Sequence, residues 1–446
     1  MPDQKLYNKA VVIGSGFAGL LAARVLSDYY THVVIVEKDD EPTNSQTRKG
    51  APQGSHIHVL LNAGEQIMED LFPGIKSDML DAGSKTAILG KDVRWRIAGK
   101  WLPTFENGMT SFFQTRPMLE LVLRKRVSKI ENISFRYGLS RSQYIPSGNG
   151  KKLMSARLAD IRSGQESEEK ADLFVEASGA STDILSLLTA LNYPLPRESV
   201  VEPDFAYSSG LFKIPDNWEG PWKCVLIYPK APEETRAGAF VPVEDGNWVV
   251  TAAGYGGDYP PTDIQGFLKF MKSLPEPEVF NAVSSATQIG KLKSFKFKRG
   301  VRRHFEELQS FPENLIVLGD LICRANPFFG QGIAVAALEA QALQGSLDQI
   351  KRMGSDNSES LARRFFPQVA KILDVSWGMA VGEDFKYKST KGKRPLGFPV
   401  TRRFKDRVMA TNDPEVAKQF YRVMHFVDKP AKLLAPEILR RIFLKR

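Results

Sequence analysis

The stretch Ala10-Val11-Val12-Ile13-Gly14-Ser15-Gly16-Phe17-Ala18-Gly19 decides the fold class of this chain of 446 residues. Its four apolar residues predict a short buried strand, its three glycines predict a tight turn, and Leu20 to Leu26 continues as a helix. His32 to Val36 then predicts a second strand, which Glu37 follows directly. Strand, glycine turn, helix and strand make one βαβ unit, which implies a parallel sheet.

The spacing of Gly14, Gly16 and Gly19, followed by Glu37, is typical of a dinucleotide-binding site. One glycine makes the tight turn, one lets a pyrophosphate approach the backbone, and one lets the helix pack on the sheet. An acid at the end of the second strand accepts hydrogen bonds from ribose hydroxyls. We therefore predict a bound dinucleotide in preference to a glycine turn that serves packing alone.

Asp320 marks a second candidate contact. It follows the apolar run Leu315 to Leu318, and it precedes Pro327-Phe328-Phe329-Gly330-Gln331-Gly332 and a predicted helix, Ile333 to Leu343. A strand-end aspartate can hold a ribitol hydroxyl, and the free N–H groups of a helix N-terminus stabilise negative charge on a bound ring. A reduced flavin carries such a charge, so these residues favour FAD as the dinucleotide. An aspartate that caps a helix beside ordinary turn residues is the alternative.

The remaining chain predicts an α/β protein with an α+β insert. Residues 200–300 contain alternating or apolar runs separated by Gly, Pro and Asp, which are typical of a mostly antiparallel sheet. We predict a Rossmann-like FAD-binding domain, a β-sheet substrate domain, both discontinuous, and a C-terminal helical region. The predicted ranges are 1–75, 110–190 and 290–350 for the FAD-binding domain, 76–109 and 191–289 for the substrate domain, and 355–446 for a basic helical subdomain, with a boundary at Gly354 to Ser360. Further helices are predicted at Val59 to Leu71 and Met118 to Val127.

Composition excludes several classes of protein. Hydrophobic residues at 42% and charged residues at 25% are close to globular averages. The longest uncharged apolar stretch, Ala10 to Ala23, is short of the roughly 20 residues that a membrane-spanning helix needs. Cys224 and Cys323 form no CxxC pair, which argues against a disulfide framework or a structural zinc site. These features predict a cytoplasmic protein.

The net charge of +10 is concentrated near the C-terminus. Lys386 to Arg407, which we predict to join helices, contains nine Lys or Arg residues and one acid, Asp406. Lys429 to Arg446 contains six basic residues and one acid, Glu437. A solvated basic face is the simplest interpretation, and we predict no nucleic-acid partner. Peripheral contact of this region with a membrane stays open as an alternative, as does an acidic partner.

Other motifs limit the chemistry. His56 and His58 are spaced like two metal ligands, but further ligands are not evident, so we predict no metal. GxSxG, P-loop and HExxH patterns are absent, which excludes the corresponding hydrolases. A second complete GxGxxG motif is also absent, because Gly254 to Gly257 is followed by Asp-Tyr-Pro-Pro, which cannot open an ordinary helix. We therefore predict no separate nicotinamide-binding domain. NAD(P)H would therefore reduce the flavin by transient docking, or a partner reductase would supply the electrons.

Together these motifs resemble those of the para-hydroxybenzoate hydroxylase-like FAD-dependent monooxygenases, and among them the bacterial polyether epoxidase and squalene-epoxidase-like branch. The resemblance covers roughly residues 8–350, consistent with one large two-domain unit. It rests on GSGFAG with Glu37, RKGAPQGSHIHVLL with Arg48, QTRPMLE with Arg116, DLFVEASG, GNWVVTAAGYGGDYPPTD and GDLICRANPFFGQG.

The resemblance implies a role for each matching position. The implied cofactor-binding residues are Gly14, Ser15, Gly16, Ala18, Gly19, Glu37, Lys38, Arg48, Arg116, Asp320, Gly330, Gly332 and Ile333. Glu37 would hold the adenosine ribose, the two arginines would lie on the phosphate side, and Asp320 would hold the ribitol. The candidates for the flavin face are His58, Pro327 and Phe329. The candidates for the wall of an apolar substrate site are Phe112, Phe113, Trp248 and Phe328, each of which ordinary core packing would explain equally well.

The activity implied by the resemblance is transfer of one oxygen atom from a flavin C4a-hydroperoxide, formed with O₂, to an apolar substrate. Epoxidation of an isoprenoid or polyketide-like alkene, or a hydroxylation, would fit. Glu176-Ala177-Ser178-Gly179 departs from the Asp-Gly motif of the aromatic hydroxylases and resembles the epoxidase and geranylgeranyl reductase variants. The alternatives are therefore a flavin-dependent reductase of isoprenoid double bonds and a flavin-binding, membrane-docking protein without turnover. The tandem tryptophan motif of flavin-dependent halogenases is absent, which disfavours halogenation.

Overall fold

The glycine turn joins a central strand of a parallel sheet to its first helix. In a computed structural model, which describes residues 5–48, 50–179, 184–353 and 360–444, strand β1 covers Tyr7–Ile13, helix α1 Phe17–Leu26 and strand β2 Tyr30–Glu37. β1 and β2 pair in parallel. The predicted βαβ unit is confirmed.

The other elements follow in chain order. The strands are β3 (Lys85–Ile88), β4 (Val93–Ile97), β5 (Lys100–Trp101), β6 (Thr110–Phe113), β7 (Ile133–Tyr137), β8 (Leu139–Pro146), β9 (Leu153–Asp160), β10 (Glu166–Lys170), β11 (Leu173–Glu176), β12 (Glu198–Glu202), β13 (Phe205–Lys213), β14 (Cys224–Ile227), β15 (Arg236–Val243), β16 (Asn247–Tyr255), β17 (Thr287–Phe297), β18 (Gly300–Arg303), β19 (Leu315–Val317), β20 (Cys323–Arg324) and β21 (Lys391–Gly392). The helices are α2 (Asn62–Leu71), α3 (Ile75–Asp81), α4 (Arg116–Val127), α5 (Ile184–Ala190), α6 (Ile264–Lys272), α7 (Glu278–Ser284), α8 (Gly332–Met353), α9 (Leu361–Asp384), α10 (Phe398–Ala410), α11 (Pro414–Met424) and α12 (Pro436–Leu444).

A five-stranded parallel sheet organises the dinucleotide-type elements. Its order is β19-β11-β1-β2-β7, and every neighbouring pair is parallel. The carboxyl ends of parallel strands lie at one edge, so the turns after β1, β2, β11 and β19 meet there. Residues 10–13 are buried from both sides, which explains why this strand is uniformly apolar.

A seven-stranded sheet forms the second layer. Its order is β17-β13-β16-β15-β14-β4-β5, and its pairs are antiparallel except for β4 with β14. One face packs on α6 and α7 through Phe240, Trp248 and Phe267. The opposite face is turned toward the parallel sheet and bounds a cavity. The α/β fold with a mostly antiparallel insert is thus confirmed.

The C-terminal helices complete the cores of both layers. α9 packs against α8, where Phe365 and Leu373 enter the core of the parallel-sheet domain. Val416 and Phe420 of α11 and Ile442 of α12 join the core that contains Trp95 of β4. The helices of residues 360–444, predicted as a basic helical subdomain, therefore share their cores with both layers. Residues 354–359, where most of the predicted boundary falls, lie outside the described part of the chain.

Three predicted bounds also differ from the structure. α2 begins at Asn62 rather than Val59, because the backbone is still extended at Leu61. β17 carries the large sheet to Phe297, past the predicted boundary at 289. The basic segment from 386 to 407, predicted to connect helices, itself contains most of α10. Within the described ranges, every helix is too short or too polar to cross a bilayer.

Candidate cofactor groove and substrate cavity

The turn after β1 opens a groove of about 250 Å³ along the carboxyl edge of the parallel sheet. Gly14 has a φ of 100°, and a side chain there would collide with the carbonyl of Ala177. A Cβ on Gly19 would stand 1.9 Å from the Gly14 carbonyl oxygen, whereas a Cβ on Gly16 would meet no atom within 4 Å. α1 begins beside this open space with no side-chain cap and no acidic residue in its first turn. Its free N–H groups suit a phosphate.

Glu37 lies at the end of β2 and lines the same groove. Its carboxylate accepts hydrogen bonds from the Ser15 hydroxyl, from the Ser15 N–H at 2.9 Å and from the Asp39 N–H at 3.0 Å. Burial raises the pKa of Glu37, but these hydrogen bonds outweigh burial and hold the pKa below its ordinary value. The ionised carboxylate can accept hydrogen bonds from ribose hydroxyls. Ala18 and Lys38 also line the groove.

The two arginines predicted to bind the cofactor are held differently. Arg48 pairs with Asp39 at 2.8 Å and with Glu120 at 2.5 Å. Arg116, the first residue of α4, makes no hydrogen bond or ion pair with any described residue, and its Nε is buried. Its guanidinium lies 5.3 Å from the centroid of the Phe17 ring, and burial lowers its pKa. The charges of Glu120 and Asp320 only partly offset the cost of desolvating this cation, so Arg116 suits an anionic ligand.

Asp320 lies where the groove meets a larger cavity, and it lines both. The preceding residue, Gly319, donates its N–H to Glu339 at 2.8 Å, which fixes the turn after β19. Burial raises the pKa of Asp320, while the nearby Arg324 and Arg116 partly offset this. The Asp320 carboxylate therefore faces the junction with two cations near it.

The N-terminus of α8 reaches the same junction. Gly330 adopts a left-handed conformation with a φ of 66°, and α8 begins at Gly332 with no acidic residue in its first turn. Gly330, Gly332 and Ile333 line the cavity. The positive end of the helix dipole therefore lies where the resemblance expects the flavin ring.

A cavity of about 580 Å³ extends from this junction over the large sheet. Its floor is formed by side chains from six neighbouring strands, namely Phe295, Phe297, Tyr207, Thr251, Ala253, Ala237, Ala239, Cys224, Leu226, Val93 and Trp95. Strands lie about 4.8 Å apart, so the floor from β17 to β4 spans about 24 Å. Alanines occupy its middle and larger side chains its ends. The cavity is thus long and mainly apolar.

α11 closes the end of the cavity beside β4. Tyr421, Met424 and His425 line it there, and the Tyr421 ring centroid lies 5.3 Å from that of Trp95. The sequence analysis missed these residues, and nothing in the α11 sequence signals a contact with β4. It also missed Tyr207, although the alternation along β13 could have placed that side chain on one face of the sheet.

His56 and His58 lie on the cavity wall. His56 Nδ1 is 2.9 Å from the hydroxyl of Ser209, and His58 Nδ1 is 2.9 Å from the carbonyl oxygen of His56. Burial lowers the pKa of His56 to about 4 and that of His58 to about 3. Both rings are therefore neutral at pH 7. Among the described residues they gather no third side chain with the spacing of metal ligands.

The predicted aromatic wall is only partly correct. The cavity is lined by Phe113 and Phe328, together with Pro327 and Phe329. Phe112 instead packs in the core of the parallel-sheet domain, and Trp248 packs against Phe240 with ring centroids 4.9 Å apart. Successive residues of a strand point to opposite faces, and Trp248 has the opposite phase to the cavity-facing residues of β16. For Phe112 and Trp248 the structure therefore shows the alternative, core packing, rather than a place on the cavity wall.

Asp384 of α9 fixes the loop that carries Phe328. Its carboxylate accepts hydrogen bonds from the Asn326 side-chain amide at 2.8 Å and from the Tyr255 hydroxyl at 3.1 Å. The side-chain carbonyl oxygen of Asn326 in turn accepts a hydrogen bond from the Phe328 N–H at 3.1 Å. Burial raises the pKa of Asp384 to about 7. The protonation state of Asp384 can therefore affect the position of Phe328 on the cavity wall, through Asn326.

These features define the class of protein. Residues 12–72 match the family of NAD(P)-binding Rossmann-like domains. The structure is similar to a triple mutant of the flavin-dependent brominase Bmp2, with a TM-score of 0.67, 15% identity and coverage of 97% of this chain and 98% of that chain. It is similar to a flavoprotein/dehydrogenase from Cytophaga hutchinsonii (TM-score 0.67, 14% identity, 97% and 96% covered). It also matches PqsL, described as a probable FAD-dependent monooxygenase from Pseudomonas aeruginosa (TM-score 0.62, 15% identity, 85% and 98% covered). The fold is that of flavin-dependent monooxygenases and halogenases.

The sequence places the chain more narrowly. It is 30% identical over 431 residues, 94% of this chain and 90% of its relative, to protein Rv3254 of Mycobacterium tuberculosis (strain ATCC 25618 / H37Rv). The chain belongs to the same family as Rv3254.

Proposed function

We propose that this protein binds one FAD and acts as a monooxygenase that transfers one oxygen atom of O₂ to an apolar substrate. The reaction we favour is epoxidation of an isoprenoid or polyketide-like alkene. One observation carries the proposal: the groove along the glycine turn runs into the apolar cavity at Arg116 and Asp320, which line both. A dinucleotide in the groove would present its ring to a substrate in the cavity.

The groups along this path suit the parts of FAD in order. Glu37 is placed for the adenosine ribose, and the open space at Gly16 beside the α1 N-terminus is placed for the pyrophosphate. Arg116 would supply the missing counterion on the phosphate side, and Asp320 would accept hydrogen bonds from the ribitol. The α8 N-terminus would favour negative charge on the ring system.

Bound FAD supplies the electron transfer and the activation of O₂. With NAD(P)H as the donor, NAD(P)H, a proton, O₂ and the substrate give NAD(P)⁺, water and the oxygenated product. One Rossmann-type parallel sheet occurs in the described ranges, and the groove already occupies its edge. We therefore propose that NAD(P)H docks transiently or that a reductase delivers the electrons.

The protein's own contribution is shape and dryness. Phe113, Leu226 and Phe328 face the cavity, which α11 closes at one end. The neutral His56 and His58 bring no charge to this wall at pH 7. An apolar, water-poor site protects a reactive oxygen donor from side reactions. Alkene epoxidation needs no dedicated acid or base, and none stands out here.

The test follows flavin, oxygen and product together. The purified protein is loaded with FAD, reduced by NADH or NADPH without oxygen, and mixed with O₂ and candidate alkenes while the product mass is recorded. A product that gains one oxygen atom supports the proposal. A gain of two hydrogens would identify a double-bond reductase instead, and replacement of hydrogen by halogen when halide is present would identify a halogenase. Failure to retain or take up FAD would contradict the proposal at its first step.

A further inference from the structure

The start of α10 exposes an unusual apolar pair. Leu396 is 97% exposed and Val400 72%, the highest values among the large exposed apolar residues of the described chain. The other side of α10 is buried through Phe398, Val408 and Met409. A single exposed leucine is ordinary on a protein surface. Leu396, two residues before α10, and Val400 in its first turn form an apolar patch at the start of a helix that is already anchored by its opposite face.

The patch continues along one side of α10. Val400, Arg403 and Arg407 are three and then four residues apart, so they follow one face of the helix. The Arg407 guanidinium lies 5.8 Å from the centroid of the Phe443 ring of α12, and Phe443 is itself 54% exposed. Arg403 and Arg407 therefore connect the exposed apolar residues at the start of α10 with the exposed Phe443 of the neighbouring helix.

Unpaired cations lie close to this patch in the sequence. Lys388, Lys391, Lys393 and Arg403 are exposed, and none lies within ion-pair distance of a carboxylate of the described residues. Other cations of the same region behave differently. Lys386 and Lys405 pair with Glu383 at 3.0 and 2.6 Å. Three unpaired lysines thus precede Leu396 by three to eight residues, and Arg403 lies one helical turn after Val400.

We propose that this surface docks on an anionic lipid membrane. We call it the α10 face, and it consists of Lys388, Lys391, Lys393, Leu396, Val400, Arg403, Arg407 and Phe443. Apolar side chains that project from a helix lying in the membrane plane enter the acyl boundary, while Lys and Arg around them meet the anionic head groups. A lipid surface accommodates almost fully exposed side chains without a complementary pocket, which favours lipid over an acidic protein. The proposal does not depend on the flavin chemistry.

Flotation of the full-length protein with vesicles tests the α10 face. The vesicles contain phosphatidylcholine alone or phosphatidylcholine with phosphatidylserine. We expect the protein to float with the anionic vesicles and to be released by salt. The triple variant Lys391→Gln/Lys393→Gln/Arg403→Gln should lower partitioning on the order of a hundredfold, since each basic residue near an anionic surface contributes about one kcal/mol.

A second variant separates insertion from charge attraction. Leu396→Ser/Val400→Ser keeps every charge but removes the inserted apolar groups, and it should lower partitioning at least about tenfold. Two control variants make the same kinds of substitution outside the α10 face. Ile161→Ser/Leu195→Ser alters apolar residues that are 53% and 50% exposed elsewhere, and Lys129→Gln/Lys151→Gln/Lys170→Gln removes three exposed lysines elsewhere. Thermal unfolding of each variant confirms that it folds.

The outcomes decide between the alternatives. Flotation that both α10-face variants lose and both controls retain supports the proposal. Wild-type protein that stays unbound with anionic vesicles overturns it, and so does undiminished flotation of Leu396→Ser/Val400→Ser. Retention on immobilised polyglutamate without any flotation would likewise overturn it and would point to an acidic protein partner.

Discussion

The cofactor groove and the apolar cavity meet at Asp320, but they are built in opposite ways. The groove depends on a contiguous stretch, Gly14 to Gly19, in which sterics allow only glycine at two positions, and on Glu37 one strand later. The cavity depends on six strands, a loop at residue 56 and a helix at residue 421, and each contributes ordinary side chains. The glycine turn of the groove is thus encoded locally, whereas the cavity results from long-range assembly.

The largest effect is expected from replacing either of two glycines of the turn, Gly19 or Gly16, by alanine. In Gly19→Ala, the new Cβ would stand 1.9 Å from the Gly14 carbonyl oxygen, so α1 must shift. We expect loss of FAD and a fall of about 3 kcal/mol in the free energy of unfolding. Gly16→Ala has free space and a φ of −74°. It should unfold like the wild type without FAD, yet bind FAD weakly, because its methyl group enters the groove. FAD titration measures the affinity, and denaturation of the apoprotein measures its free energy of unfolding. An equal loss of stability in the two variants would contradict the different roles assigned to Gly16 and Gly19.

Two arginines of α4 provide the next test. Arg116→Met removes a desolvated cation that makes no hydrogen bond or ion pair with a described residue, so FAD affinity should fall ten- to hundredfold, while the apoprotein keeps or gains stability. Arg124→Met serves as the matched control. Arg124 donates to the Ser15 carbonyl at 2.8 Å and to Glu120 at 3.1 Å, so its loss should destabilise the apoprotein by about 1–3 kcal/mol. Fluorescence titration with FAD and urea denaturation distinguish the two. If Arg116→Met destabilised the apoprotein as Arg124→Met does, Arg116 would serve the fold rather than a ligand.

The cavity wall should respond to pH through Asp384. Burial raises its pKa from 3.8 to about 7 in the folded protein. The folded state therefore holds the proton more tightly than the unfolded state, and the free energy of unfolding falls as the pH rises from about 4 to about 7. Asp384→Asn is neutral throughout, so it should gain about 1–3 kcal/mol relative to the wild type across that range. Urea denaturation at several pH values measures this difference. The control Asp216→Asn changes an exposed residue, and its free energy of unfolding should vary with pH as that of the wild type does. If the free energy of Asp384→Asn also varied with pH as in the wild type, Asp384 would not cause the pH dependence.

The smallest effect on stability is expected on the cavity floor. Ala253 faces the cavity, whereas Ala252 faces the core shared with α6 and α7. Ala253→Leu should cost under about 1 kcal/mol and leave FAD binding intact, since the side chain extends into open space, but it should slow turnover of bulky substrates. Ala252→Leu should cost about 1–3 kcal/mol through overpacking. Denaturation and product assays compare the pair. An equal loss of stability in the two variants would mean that Ala253 does not face open space while Ala252 faces a packed core.

The sequence was informative where a residue type has one physical explanation. The strand, turn and helix around Gly14 lie where the sequence predicts them, because this pattern is local. Trp248 was misplaced because an isolated aromatic residue does not reveal the phase of its strand. Val59 was assigned to a helix because its apolar pattern continues that of α2, although the structure extends the backbone there beside the cavity. The role of Tyr421 could not be predicted, because it depends on packing against a strand more than 300 residues earlier, at Trp95.

The closure of the cavity by α11 also has a consequence for biosynthesis. A ribosome releases the chain from its N-terminus, and elements pack as their partners emerge. β1, α1 and β2 emerge early, but the wall beside Trp95 has to wait for Tyr421 and Met424. Until then the apolar floor of the large sheet stays open at that end. The nascent protein therefore exposes the completed cavity floor from the emergence of Phe297 until that of Met424, and a chaperone would have this apolar surface to bind during that interval.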